Sequence, residues 1–157
     1  MPTLLDPTTG ETVPSSIMLV KPAELPAIQR SHRFAFDWRA EKGALVYKMV
    51  KQEDQARIAQ GLLSLTDIPQ ELRVHINLVE NANENKGDGK LMDRVAGCLI
   101  AFAVRLAFEK GYAGFVSLLP KTSLIPLYIK KYGFVQYGRN LATSGSNSIR
   151  LVKQYLI

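Results

Sequence analysis

The chain has 157 residues, 46% hydrophobic and 22% charged, which fits one soluble globular domain burying about two-thirds of its unfolded surface. No apolar run approaches the roughly 20 residues of a membrane span, and the single cysteine, Cys98, excludes an intramolecular disulfide and a Cys-rich metal site, so neither a membrane nor a metal is expected. The net charge of +6 admits an anionic partner, but apart from the pair Lys130-Lys131 the basic residues are scattered, which argues against a nucleic-acid stripe.

In chain order, residues 1–16 are rich in Pro, Thr, Ser and Gly and are expected to form an extended arm. They have neither the basic start nor the apolar core of a signal peptide, so a cytoplasmic location is expected. The apolar run 17–20 reads as an edge strand, and Pro22 opens a helix over 23–33. The aromatic segment Phe34-Ala35-Phe36-Asp37-Trp38 is expected to pack. Apolar patterning predicts strands over 44–51 and 57–66 around the polar turn 52–55, and a third over 73–81 after Pro69, together an antiparallel meander. Leu99, Phe102, Ala103, Leu106 and Ala107 then recur at helical spacing and predict a helix over 95–110, closed by Gly111. Cys98 falls inside it as a packing residue. The short apolar strand 114–119 returns after this helix and so lies parallel to the 73–81 strand by the right-handed crossover rule. A shorter helix over 123–132, a strand over 135–141, a flexible polar loop at 144–147 and an apolar-periodic helix over 149–156 complete the chain. No internal repeat or domain-sized linker appears, so residues 1–157 read as a single domain.

The junction after Glu80 carries the chemistry. A strand enters the polar turn Asn83-Glu84-Asn85-Lys86-Gly87-Asp88-Gly89-Lys90, and a helix opens around Arg94-Val95-Ala96-Gly97. Small residues at such a helix start let backbone N–H groups converge on a phosphate, and the expected cargo is the pyrophosphate of coenzyme A.

This order of elements, with Glu80 at the strand end, Asn85-Lys86-Gly87 in the turn, Leu99-Ile100-Ala101-Phe102-Ala103 in the helix, Lys121-Thr122-Ser123-Leu124-Ile125 and Tyr132-Gly133-Phe134, resembles the Gcn5-related N-acetyltransferase superfamily, closest to a small bacterial branch. The resemblance is strongest over 73–134. It implies an α/β (α+β) fold with a mixed, mostly antiparallel central sheet flanked by helices and a V-shaped splay between two parallel central strands. It also implies acetyl-CoA as co-substrate, with no metal. The superfamily's pyrophosphate motif, Gln/Arg-x-x-Gly-x-Gly/Ala, falls on Leu91-Met92-Asp93-Arg94-Val95-Ala96, where only Ala96 fits. Gly97 is expected to restore the close backbone approach, and Arg94 either adds a charge-assisted phosphate contact, the favoured reading, or blocks one.

The same resemblance implies direct transfer of an acetyl group to an amine, with an oxyanion held by N–H groups of the splayed strand around Val79 to Asn81, and Leu78, Val79 and Asn81 along the cofactor. Asn85, Lys86, Gly87, Arg94, Val95, Ala96 and Gly97 are expected around the cofactor phosphates, and Ser117, Lys121 and Thr122 along its pantetheine arm. Thr122 or Ser123 otherwise caps the next helix. Glu80 is the expected general base, its pKa raised towards neutrality by desolvation; the alternative is a strand-end carboxylate paired with a nearby Lys or Arg. His75 is a second candidate base. The family's acid is a tyrosine four residues before the glycine of Gly-Phe, a position held here by Ile129, so Tyr128 is the expected acid and Tyr132 a packing residue. Phe34, Phe36 and Trp38 are expected to shape the pocket of a small-molecule or protein amine, with a homodimer as one possible assembly. Two other readings compete: a non-catalytic binding module that keeps this fold, and a toxin that acetylates aminoacyl-tRNA.

Overall fold

The computed structural model describes residues 2–120 and 122–157, the side chain of Thr122 aside. Its frame is an eight-stranded sheet in the order β1-β2-β3-β4-β5-β6-β8-β7, formed by Thr3–Leu5, Thr12–Val20, Leu45–Lys51, Gly61–Ile68, Arg73–Asn81, Val116–Leu118, Val135–Tyr137 and Asn140–Thr143 for β1 to β8. All neighbours pair antiparallel except β5 and β6, which run parallel with Val74 opposite Val116. The helices are α1 (Leu25–Arg30), α2 (Val95–Glu109), α3 (Ile125–Tyr132) and α4 (Gly145–Leu156).

Helix α2 packs over the sheet and explains why its sequence is apolar almost all round. Leu99, Ala103 and Ala107 are fully buried, and so are Cys98, Ile100 and Ala101, because α4 lies alongside through Leu151 and Tyr155. Each large apolar side chain so buried contributes about 1.5–3 kcal/mol. Gly111, at φ +81, ends the helix in the left-handed conformation its position needs. Burial pushes the Cys98 thiol up to about 11, which leaves it an inert packing group. A second apolar cluster lies under α1, around Trp38, Phe34, Leu25 and Leu62.

Five expectations are corrected. The N-terminal arm is instead a hairpin of β1 and β2, with Leu4 wholly buried and Leu5 exchanging backbone hydrogen bonds with Asp93. Helix α1 stops at Arg30, before the aromatic segment, and β4 begins at Gly61 rather than 57. The expected strand 135–141 breaks at Gly138, φ +61, into the β7–β8 hairpin. The polar stretch 144–147 is the first turn of α4, where Asn147 donates to the Tyr132 carbonyl and the Thr143 hydroxyl, and Ser148 to the Gly114 carbonyl.

Candidate active site

Pairing between β5 and β6 ends at Ile76 opposite Leu118, so beyond it the β6-side edge of β5 over 77–81 pairs with no strand among the described residues and the two parallel strands splay. A β-bulge sets in at the same place: Ser64 faces Leu78 and Leu65 faces Ile76, leaving Asn77 unopposed. Its amide donates to the Thr66 hydroxyl at 2.9 Å and the Ser64 hydroxyl at 3.2 Å. The extra residue reverses the alternation beyond it. Val74 and Ile76 pack with α2, but after the bulge it is Val79 that does so, while Leu78 joins the Trp38 cluster. Two adjoining cavities of about 170 and 460 Å³ occupy the splay, with Phe36, Val79, Leu124 and Tyr128 walling both. A third of about 270 Å³ continues to the start of α2, sharing Asn81, Ala96 and Tyr132 with the larger one.

At that far end the hydrogen bonding of α2 begins with Cys98 N–H to the Arg94 carbonyl at 3.0 Å, so the N–H groups of Val95, Ala96 and Gly97 point out of the helix end. Lys90, Arg94 and Lys131 surround them. Asp93 does not oppose an anion there freely: its carboxylate accepts from its neighbour's N–H at 2.8 Å and pairs with Lys90 at 3.1 Å. Arg94 takes the left-handed conformation, φ +77, at the position of the motif's middle glycine, a conformation that costs about 1–2 kcal/mol for a residue with a side chain. Its guanidinium is already engaged, donating to the carbonyls of Thr3 at 3.2 Å and Gln154 at 2.8 Å and lying 4.9 Å from the Tyr155 ring centre. Through these contacts Arg94 ties the loop to both ends of the chain. Gly97 is likewise required by packing: a Cβ there would overlap the Tyr155 ring. Lys131, Gln154 and Tyr155 were not foreseen at this end; Lys131 was visible only as half of a basic pair, and the α4 residues reach the loop solely through tertiary packing.

Glu80 lies in the middle of the cleft wall, and the expected rise in its pKa is overturned. It is 4% exposed. Its Oε2 accepts from Lys86 Nζ at 2.6 Å and Ala35 N–H at 2.6 Å, and its Oε1 accepts from Trp38 Nε1 at 2.8 Å and Phe36 N–H at 3.1 Å. Burial pushes the carboxyl up, but the four donors, led by the Lys86 ammonium, outweigh it and hold the pKa below the ordinary value. The reading as a paired strand-end carboxylate describes this geometry better than that of a base awaiting a proton. Glu80 instead fastens the aromatic segment across the cleft mouth. Of that segment, Phe34 and Trp38 belong to the core, while Phe36, with Ala35 beside it, lines the cleft.

The remaining expected residues divide. Leu78, Val79 and Asn81 line the splay, and the Asn81 Oδ1 is buried with no partner among the described residues. Lys86 and Gly87 line the central cavity. Asn85 is buried and spent on the turn itself, donating to the Gln60 carbonyl and accepting from Met92 N–H, both at 3.0 Å. Tyr128 faces the cleft, while Ile129 is exposed on the outer side of α3. Burial raises the Tyr128 pKa. Lys121 lies outside the described residues, and so does the side chain of Thr122.

Ser117 is not on the cleft. It is buried in a polar cluster, accepting from Arg73 Nη1 at 2.5 Å and bonded to His75 Nδ1 at 2.8 Å. Burial, and then the Arg73 charge, hold the His75 pKa below its ordinary value. The unfolded chain therefore binds this proton more readily than the folded one, and stability falls as pH drops through the unfolded value of about 6.5. His75→Gln is expected to flatten that fall, measured as urea midpoints between about pH 7.5 and 5.5.

No protein-family model matches the chain, and no curated protein matches it. Its fold does match solved structures. A spermidine/spermine N-acetyltransferase, SpeG, from Vibrio cholerae is 12% identical, with a TM-score of 0.60 over 87% of this chain and 98% of that one. PaiA N-acetyltransferase from Thermoplasma acidophilum, in complex with coenzyme A, is 11% identical with a TM-score of 0.56 over 83% and 98%. AtaT, complexed with acetyl-methionyl-tRNAfMet, is 13% identical with a TM-score of 0.57 over 88% and 99%. The splayed parallel pair, the bulged strand, the helix start facing the cleft and these matches together give one conclusion: this chain has the Gcn5-related N-acetyltransferase fold.

Proposed function

We propose that the chain is an acetyl-CoA-dependent N-acetyltransferase that passes the acetyl group directly to a primary amine of a small molecule or a protein. The observation that carries this reading is the continuity of the cleft, from three outward N–H groups on α2 to the unpaired edge of β5 and the Tyr128 side chain. The orphaned Asn81 Oδ1 adds an acceptor suited to an amide N–H of the pantetheine arm. Val95, Ala96 and Gly97 N–H groups hold the pyrophosphate, with Lys131 adding charge. The free edge of β5 receives the pantetheine as a further strand would be received and offers N–H donors near Val79 to the oxyanion. Tyr128 gives its proton to the departing thiolate. Glu80 positions the mouth by holding Ala35 and Phe36.

The test is calorimetric titration with acetyl-CoA, followed by thiol release with a panel of amines. Micromolar binding with amine-dependent thiol release supports the reading; no binding at millimolar ligand rejects it. Tyr128→Phe is expected to slow thiol release by about 100-fold, the usual worth of a positioned acid, with acetyl-CoA affinity kept. The engagement of Arg94 elsewhere, with Leu91 and Ile129 at the motif positions, favours a non-catalytic binding module, which predicts a folded protein with no coenzyme A binding. Proteins of this fold act on spermidine or are complexed with an acetylated aminoacyl-tRNA, so the fold does not choose the acceptor.

A further inference from the structure

Among the described residues that line the central cavity, Lys86 supplies the only amine. The turn 83–85 and the end of β5 present it beside Glu80, with Nζ 2.6 Å from Glu80 Oε2 and 2.9 Å from Asn83 Oδ1. Two of its three N–H groups are thereby committed, and the side chain is still 39% exposed at the mouth. The same cavity is walled by Val79 and Tyr128, the groups assigned above to the oxyanion and the leaving thiolate. Gly87 follows at φ +71 with open space around it, so the turn has room to let Lys86 advance.

We infer that Lys86 is a modification site of this cleft, its ε-amine taking an acetyl group in cis from acetyl-CoA, an inference that rests on the function proposed above. The amine is held by the fold beside the reacting groups, so the step has the advantage of an intramolecular reaction. One proton leaves the Lys86 ammonium for water at the open mouth. The nitrogen lone pair then forms the N–C bond to the thioester carbonyl, and the oxyanion rests on the β5 edge. The C–S bond breaks with its electron pair on sulfur. A second proton leaves the nitrogen, and the thiolate is protonated through Tyr128, which gives acetyl-lysine, coenzyme A thiol and one proton released to solvent.

Acetylation removes the Lys86 charge from Glu80 and leaves only the Ala35, Phe36 and Trp38 donors. The buried carboxylate then loses its strongest counterweight to burial, so the cleft mouth is loosened and Glu80 moves towards a usable base.

The experiment incubates the full chain with saturating acetyl-CoA at two protein concentrations and maps acetylated peptides over time, alongside the calorimetric titration. The expected result is Lys86 acetylation at a rate independent of protein concentration. That rate is at least about tenfold above those of the exposed Lys42 and Lys153, and Tyr128→Phe slows Lys86 alone. If acetyl-CoA binds but Lys86 is modified no faster than Lys42 and Lys153, or at a rate that rises with protein concentration, this inference is overturned and the proposed function stands. Absence of acetyl-CoA binding removes both.

Discussion

Glu80→Ala is expected to destabilise the protein by about 1–3 kcal/mol, the cost of a buried donor left without its acceptor; Lys86, 39% exposed, is solvated once its partner is gone, so the ion pair itself adds little. The stranded donor is the Trp38 indole N–H, which is completely buried, while the Ala35 N–H loses its acceptor at a residue open to water. Glu80→Gln keeps the shape but offers one acceptor oxygen where two are used, so its loss is smaller and of the same sign. A carboxylate serving only as a base predicts the opposite pattern: turnover lost and urea stability kept. The pH dependence separates the two further. Because the folded pKa of Glu80 is depressed, its contribution is complete above the unfolded value of about 4.3 and disappears as pH falls through the folded one. Acid unfolding of Glu80→Gln should therefore lack part of the wild-type slope below about pH 4.5.

Gly97→Val carries the second large effect, about 3 kcal/mol of overpacking. Its Cβ would stand inside the Tyr155 ring, and that ring cannot withdraw cheaply because it is buried against Tyr132 and under the Arg94 guanidinium. Pushing Tyr155 aside also frees Arg94 from the hold that keeps residues 93–95 in their turn. A loss of at least about tenfold in coenzyme A affinity, roughly 1.4 kcal/mol, is expected along with the loss of stability. A double-mutant cycle with Tyr155→Ala identifies the cause: with the ring removed, Gly97→Val should cost much less, a coupling that a direct clash with phosphate does not produce.

The meander, α2, the parallel β6 and the Tyr-Gly-Phe end of α3 were legible because each rests on local periodicity or on a chain-connection rule. The parts that were not legible rest on distant partners. A three-residue strand, Thr3–Leu5, carries almost no pattern of its own and exists through its pairing with β2 and Asp93. The break at Gly138 lay inside a run that reads as one strand through Val135, Tyr137 and Leu141, and the first turn of α4 is polar because Asn147 and Ser148 spend their side chains on other segments. Glu80 was correctly placed at the end of the central strand, but its surroundings follow from the bulge at Asn77. One extra residue turned Val79, not Glu80, towards α2 and sent the carboxylate into the Ala35–Trp38 segment. Arg94 shows the same limit from another side: its departure from the glycine motif was plain, while its partners, Thr3 and Gln154, stand 91 and 60 residues away.

The most direct test of the central claim is a backbone amide NMR titration of the full chain with coenzyme A. The account predicts the largest shifts at Val95, Ala96 and Gly97, continuing along 77–81 and into α3 around Tyr128. Saturation at millimolar coenzyme A without shifts at the start of α2, or shifts confined to the separate cavity lined by Thr12, Lys51 and Glu53, would contradict it.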